Sequence, residues 1–248
     1  MRWRLLPFEA APASMNMAID EAVSEGVRDG TSPPTMRFYA WRPGAVSLGC
    51  FQSVEEEVDP EACLRLGVDI VRRRTGGGAV YHDPEGEITY SVIAPEGAMG
   101  RDINASYREV CGWVVDALGE LGVHSEFRPI NDIVASGRKV SGCAQTRREG
   151  AFLQHGTVLY SIDPQRMFKL LKVSKTKISD KDIAGLEDRV TALDRLTDAT
   201  KADLLAALHR SFLRCKEWYE APLSERERDR AAQLAKDRYA NPQWTWSR

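Results

Sequence analysis

Two stretches of this chain carry incompatible periodicities, and that contrast limits its architecture more than any other feature. Residues 87–93 set Ile88, Tyr90 and Val92 on one side against Thr89 and Ser91 on the other, the two-residue period of a half-buried strand. Residues 104–121 instead bring Tyr107, Val110, Cys111, Val114, Val115, Leu118 and Leu121 to one side at helical spacing. Further strands are predicted over 37–41, 45–50, 68–73, 132–136 and 152–160, with a Pro43-Gly44 turn between the first two. Helices are predicted over 14–29, with Ser14 as N-cap, and from Asp59-Pro60, with Pro60 at the first position. The last third reads as helical over 164–172, 202–219 and 224–240, with Ser224 and Glu227 as a capping box. Strands mixed irregularly with helices, and many hairpin-length connections, predict an α+β fold. Its sheets would be mixed, largely antiparallel and flanked by helices, rather than a doubly wound parallel sheet.

The bulk properties exclude several function classes. A length of 248 residues suits one domain over 1–248, with no accessory domain in this chain. A formal net charge of −2 supplies no positive field for nucleic acid. No apolar run approaches the ~20 residues of a membrane span, and the N-terminus lacks the apolar core of a signal peptide. Five scattered cysteines form no CxxC pair, so they suggest neither a disulfide framework nor a zinc site. A reducing cytoplasm is the expected compartment.

Three segments carry chemistry. The first runs Arg72-Arg73-Arg74-Thr75-Gly76-Gly77-Gly78-Ala79-Val80-Tyr81-His82-Asp83. Three glycines after a strand let backbone N–H groups approach a ligand and cradle phosphate or carboxylate oxygens, and the arginines would contact the same anion. The motif is neither a P-loop nor a dinucleotide fingerprint, and a glycine-rich turn with a solvated basic flank has the same pattern. The second segment, from Asn131-Asp132 through Gly137, Arg138, Lys139, Ser141 and Gly142, reads as a hairpin. Lys139 on its returning strand would point toward Asp132, though an exposed hairpin of turn-forming residues fits equally. The third is Gln154-His155-Gly156-Thr157, where a hydrogen-bonded core histidine remains an alternative. His82-Asp83 is too sparse for a metal site.

Together and in this order, the segments resemble the lipoate–protein ligase and octanoyltransferase family. Arg72-Arg73 with Thr75 through Asp83 is similar to its RRxxGGGAVxHD signature, Asn131-Asp132 with 137–142 to ND…GxKxSG, and His155-Gly156-Thr157 to its HGT strand. Asn16-Met17-Ala18-Ile19-Asp20-Glu21 resembles the opening helix, Arg37-Phe38-Tyr39 and Ser47-Leu48-Gly49-Cys50-Phe51-Gln52 the first strands, and residues 241–246 the closing tail. The resemblance implies a fold shared with biotin–protein ligases, a catalytic domain akin to class II aminoacyl-tRNA synthetases, with an apolar tunnel for a fatty chain. It implies that Arg73, Thr75, Gly76, Gly77, Gly78, Ala79, His82, Ser141, Gly142, His155, Gly156 and Thr157 line a lipoyl-adenylate. Asn131, Asp132 and Lys139 would contact its anhydride and phosphate. Lys139 is then the expected catalytic electrostatic residue, stabilising charge near the α-phosphate. ATP, Mg²⁺ held by Asp132, and lipoate are the implied cofactors and substrate. The implied partners are lipoyl-domain proteins, such as 2-oxoacid dehydrogenase acyltransferase subunits or the glycine cleavage H protein, and a separate accessory chain.

The expected reaction is therefore activation of lipoate to lipoyl-AMP, followed by transfer to a lysine. The alternative is an octanoyltransferase or lipoyl amidotransferase acting through a cysteine thioester. In one such class the cysteine precedes the ND-equivalent strand, and in the other it follows the HG strand. Residues 123–130 and 161–163 hold none, and Cys143 is equally a small half-buried strand residue. The stretch Asp188-Arg189-Val190-Thr191 resembles the ligases' SRVTNL. A non-catalytic lipoate-binding relative is a third reading, against which Lys139 and the glycine loop speak.

Overall fold

The computed structural model describes residues 1–100, 102–172, 185 and 189–248. In chain order its elements begin with β1 (Arg2–Leu5), β2 (Glu9–Ala11), α1 (Ala13–Arg28), β3 (Thr35–Trp41), β4 (Ala45–Leu48), α2 (Val54–Glu57) and α3 (Pro60–Arg65). The middle holds β5 (Asp69–Arg72), β6 (Val80–His82), β7 (Glu87–Pro95), α4 (Ile103–Glu120), β8 (Ser125–Arg128), β9 (Asp132–Ala135), β10 (Arg138–Arg148) and β11 (Ala151–Leu159). Then follow α5 (Pro164–Leu170), α6 (Lys201–Leu213), β12 (Glu217–Glu220), α7 (Glu225–Leu234) and α8 (Pro242–Thr245).

The large sheet runs β12-β1-β3-β7-β11-β10-β9-β8, with β2 also paired to β3. From β3 to β8 every neighbour is antiparallel, while β1 pairs parallel with both β3 and β12. A small sheet, β5-β4-β6, mixes one parallel and one antiparallel pairing. The α+β expectation holds, with mixed and largely antiparallel sheets. No helix among the described residues is long and apolar enough to cross a membrane.

Helices cover the large sheet on both faces, which changes how β7 must be understood. Ile88, Tyr90, Val92 and Ala94 pack with Val110, Val114 and Leu118 of α4 and Leu208 and Phe212 of α6. Ile93 packs on the other face with Ala18, Ile19 and Val23 of α1. The sequence predicted a half-buried strand, yet 87–94 are all buried. Thr89 and Ser91 look like a solvated face in sequence. Instead they hydrogen-bond buried groups, Ser91 Oγ donating to Asp20 Oδ1 at 2.8 Å and Thr89 Oγ1 accepting from Trp41 Nε1 at 2.8 Å.

Other boundaries differ for local reasons. Helix α1 starts at Ala13 behind Pro12 with no side-chain cap, so Ser14 lies inside it. The helix predicted over 202–219 stops at Leu213. Cys215 takes a positive φ, and Glu217–Glu220 then pairs with β1 as an edge strand. Asp59 caps α3 through Ala62 N, with Pro60 first in the helix, and the Ser224–Glu227 capping box forms as predicted. Asp188 lies outside the described residues.

Candidate active site

A cavity of about 260 Å³ opens between the large sheet and the small sheet, beside Met17 of α1. From the predicted set, Arg73, Gly77, Gly78, Ala79 and His82 line it on one side. Asn131, Lys139, Gly142, His155, Gly156 and Thr157 line it on the other. Thr75, Gly76 and Asp132 stand just behind this lining, and Ser141 is turned away. Ser141 is in register with Ile133 of the α4-side core, and its hydroxyl finds no partner there.

The β9–β10 hairpin aims Lys139. Ser136 and Gly137, at φ 51° and 76°, form a two-residue turn with both central residues left-handed. Lys139 then pairs with Val134 and Ser141 with Ile133, so Val140 is an extra residue in β10. This bulge matters because side chains alternate along a strand. Val140 and Cys143 face the α4 core, and under regular alternation along β10, with no bulge, Lys139 would face it too. With it, Lys139 shares a face with Gly142 and Asp132, whose Oδ1 lies 2.5 Å from its Nζ. Gly142 makes the room: a Cβ there would fall 2.6 Å from Lys139 Nζ. The backbone of Lys139 is held in turn by Arg189 O, 2.8 Å from its N, and by Thr191 N, 2.8 Å from its O.

The three arginines are engaged by groups of the protein itself. Arg73 is 5% exposed and donates through Nε to Thr75 Oγ1 (3.1 Å) and through Nη1 to Ser47 O (3.0 Å) and Ser47 Oγ (3.1 Å). Its Nη2 donates to Gly76 O and Gly78 O, both at 2.8 Å. Burial pushes its pKa down to about 10. Arg72 donates to Gly49 O, Gln52 O, Trp244 O and Thr245 O, and Arg74 pairs with Glu21 at 2.7 Å. The basic run thus clamps the glycine loop, where the sequence had suggested direct anion contacts. Gly77, at φ 92°, packs against the Arg73 guanidinium.

Both histidines are buried and bonded at each ring nitrogen. His82 is stacked on Trp41 at 4.0 Å between centroids, with Nε2 2.8 Å from Ser47 Oγ and Nδ1 2.7 Å from Glu87 Oε1. His155 has Nε2 2.7 Å from Thr75 Oγ1 and Nδ1 3.1 Å from Asp20 Oδ2. Burial outweighs Asp20 and lowers the His155 pKa from 6.5. Asp20 is burdened by burial too, but Arg37, 2.9 Å away, and His155 hold its carboxyl below the usual range. Asn16, one turn earlier on α1, accepts from Arg37 at 2.9 Å, so the opening helix and β3 lock together through one guanidinium.

Of the five cysteines, all of them described, Cys143 alone lines the cavity, and its Sγ lies 3.5 Å from Cys111 Sγ in the α4-side core and 3.3 Å from Asn131 O. Its contact with Cys111 and its burial push its pKa well up. Cys50 N donates to Thr75 O behind the glycine loop. Trp41, Ser47, Thr89, Leu159, Met167 and Val190 also line the cavity, and none was a predicted site residue. Ser47 and Val190 lay in stretches that carried the resemblance, Trp41, Thr89 and Leu159 in predicted strands, and Met167 in the predicted helix over 164–172.

A profile described as the lipoyl protein ligase A/B catalytic domain matches residues 12–213. The chain is 32% identical to octanoyltransferase LipM of Geobacillus kaustophilus, over 99% of this chain and 98% of that one. It is 35% identical to octanoyltransferase LipM of Moorella thermoacetica, over 98% and 97%. Among solved structures, the bi-partite lipoate protein ligase of Thermoplasma acidophilum superposes with a TM-score of 0.90 at 31% identity, over 99% of this chain and 96% of that one. A lipoate-protein ligase A bound with ATP superposes at 0.86 and 30% identity, over 99% of both. The chain belongs to the lipoate–protein ligase and octanoyltransferase family.

Proposed function

We propose that this chain joins an octanoyl or lipoyl group to a lysine amine of a lipoyl-domain protein. The observation that carries this reading is the cavity. It runs from the Trp41–His82 stack over β3 to Lys139 on β10, three strand spacings or roughly 14 Å. Such an apolar slot with the Lys139 ammonium at one end suits a medium-length acyl chain with its carbonyl at Lys139. The ammonium stabilises the oxyanion that forms when the incoming amine attacks. The Lys139–Asp132 pair orients it, and the glycine loop shields the carbonyl from water.

The named sequence relatives favour a carrier-bound octanoyl thioester as donor over ATP. With the Cys143 thiol turned toward Cys111, the amine would attack that thioester directly. The C–N bond forms first, giving the oxyanion; the C–S bond then breaks as the carbonyl re-forms, and the proton lost by the amine goes to the departing thiolate, so the carrier leaves as a thiol. The second reading is the acyl-adenylate route, supported by the ATP-bound relative and by the Lys139–Asp132 pair. Asp132 Oδ1 is already paired with Lys139 Nζ at 2.5 Å, and no group of three or more His, Cys, Asp or Glu that could hold a metal forms among the described residues. In this reading Asp132 would be the one carboxylate offered to a Mg²⁺-nucleotide. A separate accessory chain belongs to this second reading.

Incubation with an unmodified lipoyl domain decides between them. One arm receives octanoyl carrier protein without nucleotide, and the other lipoate with Mg²⁺-ATP. Acceptor mass gain in the first arm supports the thioester donor, and gain in the second with pyrophosphate release supports adenylation. No gain in the first arm, with neither gain nor pyrophosphate release in the second, overturns the function itself.

A further inference from the structure

Glycines 76–78 have no side chains with which to pack, and glycine loses more backbone freedom on ordering than any other residue. Their order depends on carbonyl contacts, two of which go to Arg73 Nη2. Arg73 is itself buried and pairs with no carboxylate among the described residues. A buried guanidinium without compensation is costly. Its compensation arrives one relay away on each side.

The relay is continuous. Asp20 Oδ2 meets His155 Nδ1 at 3.1 Å, His155 Nε2 meets Thr75 Oγ1 at 2.7 Å, and Thr75 Oγ1 accepts from Arg73 Nε at 3.1 Å. On the other side Arg73 Nη1 donates to Ser47 Oγ at 3.1 Å, Ser47 Oγ meets His82 Nε2 at 2.8 Å, and His82 Nδ1 meets Glu87 Oε1 at 2.7 Å. Proton positions follow by elimination. A carboxylate only accepts, so each neutral imidazole keeps its proton on Nδ1 and accepts at Nε2. A guanidinium only donates, so each hydroxyl accepts from Arg73 and gives its own proton to an imidazole. Every link then points from the central cation toward an anion at either end.

We propose that His82 and His155 are positioning residues for the glycine loop, acting on it through Ser47, Thr75 and the shared Arg73 guanidinium. Neither imidazole touches the acyl group or a nucleotide as a reacting group in this scheme. Protonating either one would place an Nε2–H against a hydroxyl that already accepts from Arg73, and leave the hydroxyl proton without an acceptor. The charged and titratable groups facing the relay are Asp20 on α1, Arg37 and Tyr39 on β3, Glu87 on β7, and Arg73 itself.

The proposal rests on the acyl-transfer reading only for its kinetic consequence, and the test separates the two. Amide hydrogen exchange is measured on the free protein for wild type, Thr75→Val, Thr75→Ser and Ser47→Ala. The amides that report on the loop are Cys50 N, which donates to Thr75 O, and Arg73 N, which donates to Leu48 O, both at 2.9 Å. Their exchange should rise about tenfold in Thr75→Val and Ser47→Ala, the scale of one lost buried hydrogen bond. Thr75→Ser should restore protection, and β10–β11 amides should stay protected in every variant. The acyl-donor KM should rise more than kcat falls. Unchanged exchange at Cys50 and Arg73 in Thr75→Val, or a Thr75→Ser variant that exchanges as fast as Thr75→Val, overturns the relay. Absence of acceptor acylation by wild type, both from octanoyl carrier protein and from lipoate with Mg²⁺-ATP, with the exchange pattern intact, overturns the acyl reading and leaves the relay standing.

Discussion

Lys139 Nζ stands 2.5 Å from Asp132 Oδ1, on the face of β10 to which a single bulged residue has turned it. The pair is 40% and 38% exposed at its side chains, so it contributes little to stability. Its value is in placing a cation at the acyl carbonyl. Lys139→Ala should fold normally and lose about a hundred- to a thousandfold in transfer rate, the ~3–4 kcal/mol typical of one oxyanion donor. Arg138, in register with core-facing Ala135, should tolerate Ala. A larger loss in Arg138→Ala than in Lys139→Ala would place the chemistry elsewhere.

Gly142→Ala is expected to act through Lys139. The new methyl would meet Lys139 Cε and Nζ at 2.6 Å, and the end of a flexible side chain yields more readily than backbone. Activity should fall roughly tenfold or more while stability changes by under about 1 kcal/mol. Thermal melting and transfer rate measured side by side check this; a melting loss matching the activity loss would point to misfolding instead.

Cys143→Ala should remain active within a few fold. Its thiol faces Cys111 on the α4 side, so the cost is a small core vacancy of about 1 kcal/mol. Complete inactivation, with a trapped acyl-enzyme in wild type lost in the variant, would make Cys143 the nucleophile after all.

Acid should weaken the fold through His155. Its pKa in the folded protein lies below the ordinary 6.5 because burial disfavours the cation. A group depressed in this way contributes stability fully above its unfolded value and loses it as pH falls through the folded value. Urea unfolding at about pH 7.5 and about pH 5.5 should therefore show a lower midpoint in acid, with a flatter dependence in His155→Asn. Asp20, depressed below 3.8, adds nothing in that window.

Arg4→Ala is predicted to destabilise the protein by ~3–5 kcal/mol, the scale of breaking one side of a buried pair. Arg4 donates to Glu227 through Nη1 at 2.7 Å and Nη2 at 2.6 Å, joining β1 to α7. Its partner Glu227 is penalised by burial, yet Arg4, Ser32 and Ser224 together lower its pKa from 4.5 to about 2. The Glu227 contribution is present above pH 4.5 and fades as pH falls toward about 2, which acid titration of the wild type would follow.

Much of this was legible in the residues. The 104–121 helix, the Gly137 turn, the helix start at Asp59-Pro60 and the Ser224 cap are local, and local rules found them. The glycine loop, Lys139 and the histidines are polar residues in odd company, which is what motifs record. What escaped was relational. Burial of β7 on both faces depends on α1 crossing the sheet, and β12 exists because β1 offers it an edge. The Val140 bulge cannot be counted without knowing its partner strand. The arginine run looked like an anion site because charge suggests exposure, whereas each arginine had found acceptors far away in sequence. Trp41 and Ser47 looked like ordinary strand residues until the two sheets came together around the cavity.

Arg72 ties the carbonyls of Trp244 and Thr245 to those of Gly49 and Gln52, while Trp244 Nε1 donates back to Arg72 O at 2.9 Å. The strand that feeds the glycine loop is therefore anchored by a turn formed some 170 positions later in synthesis. Until that turn leaves the ribosome, the acyl slot lacks one of its braces, and a nascent chain would bind its substrate poorly. The same brace makes residues 244 and 245 a poor place for a fused tag or label, since a pull there is felt beneath the loop.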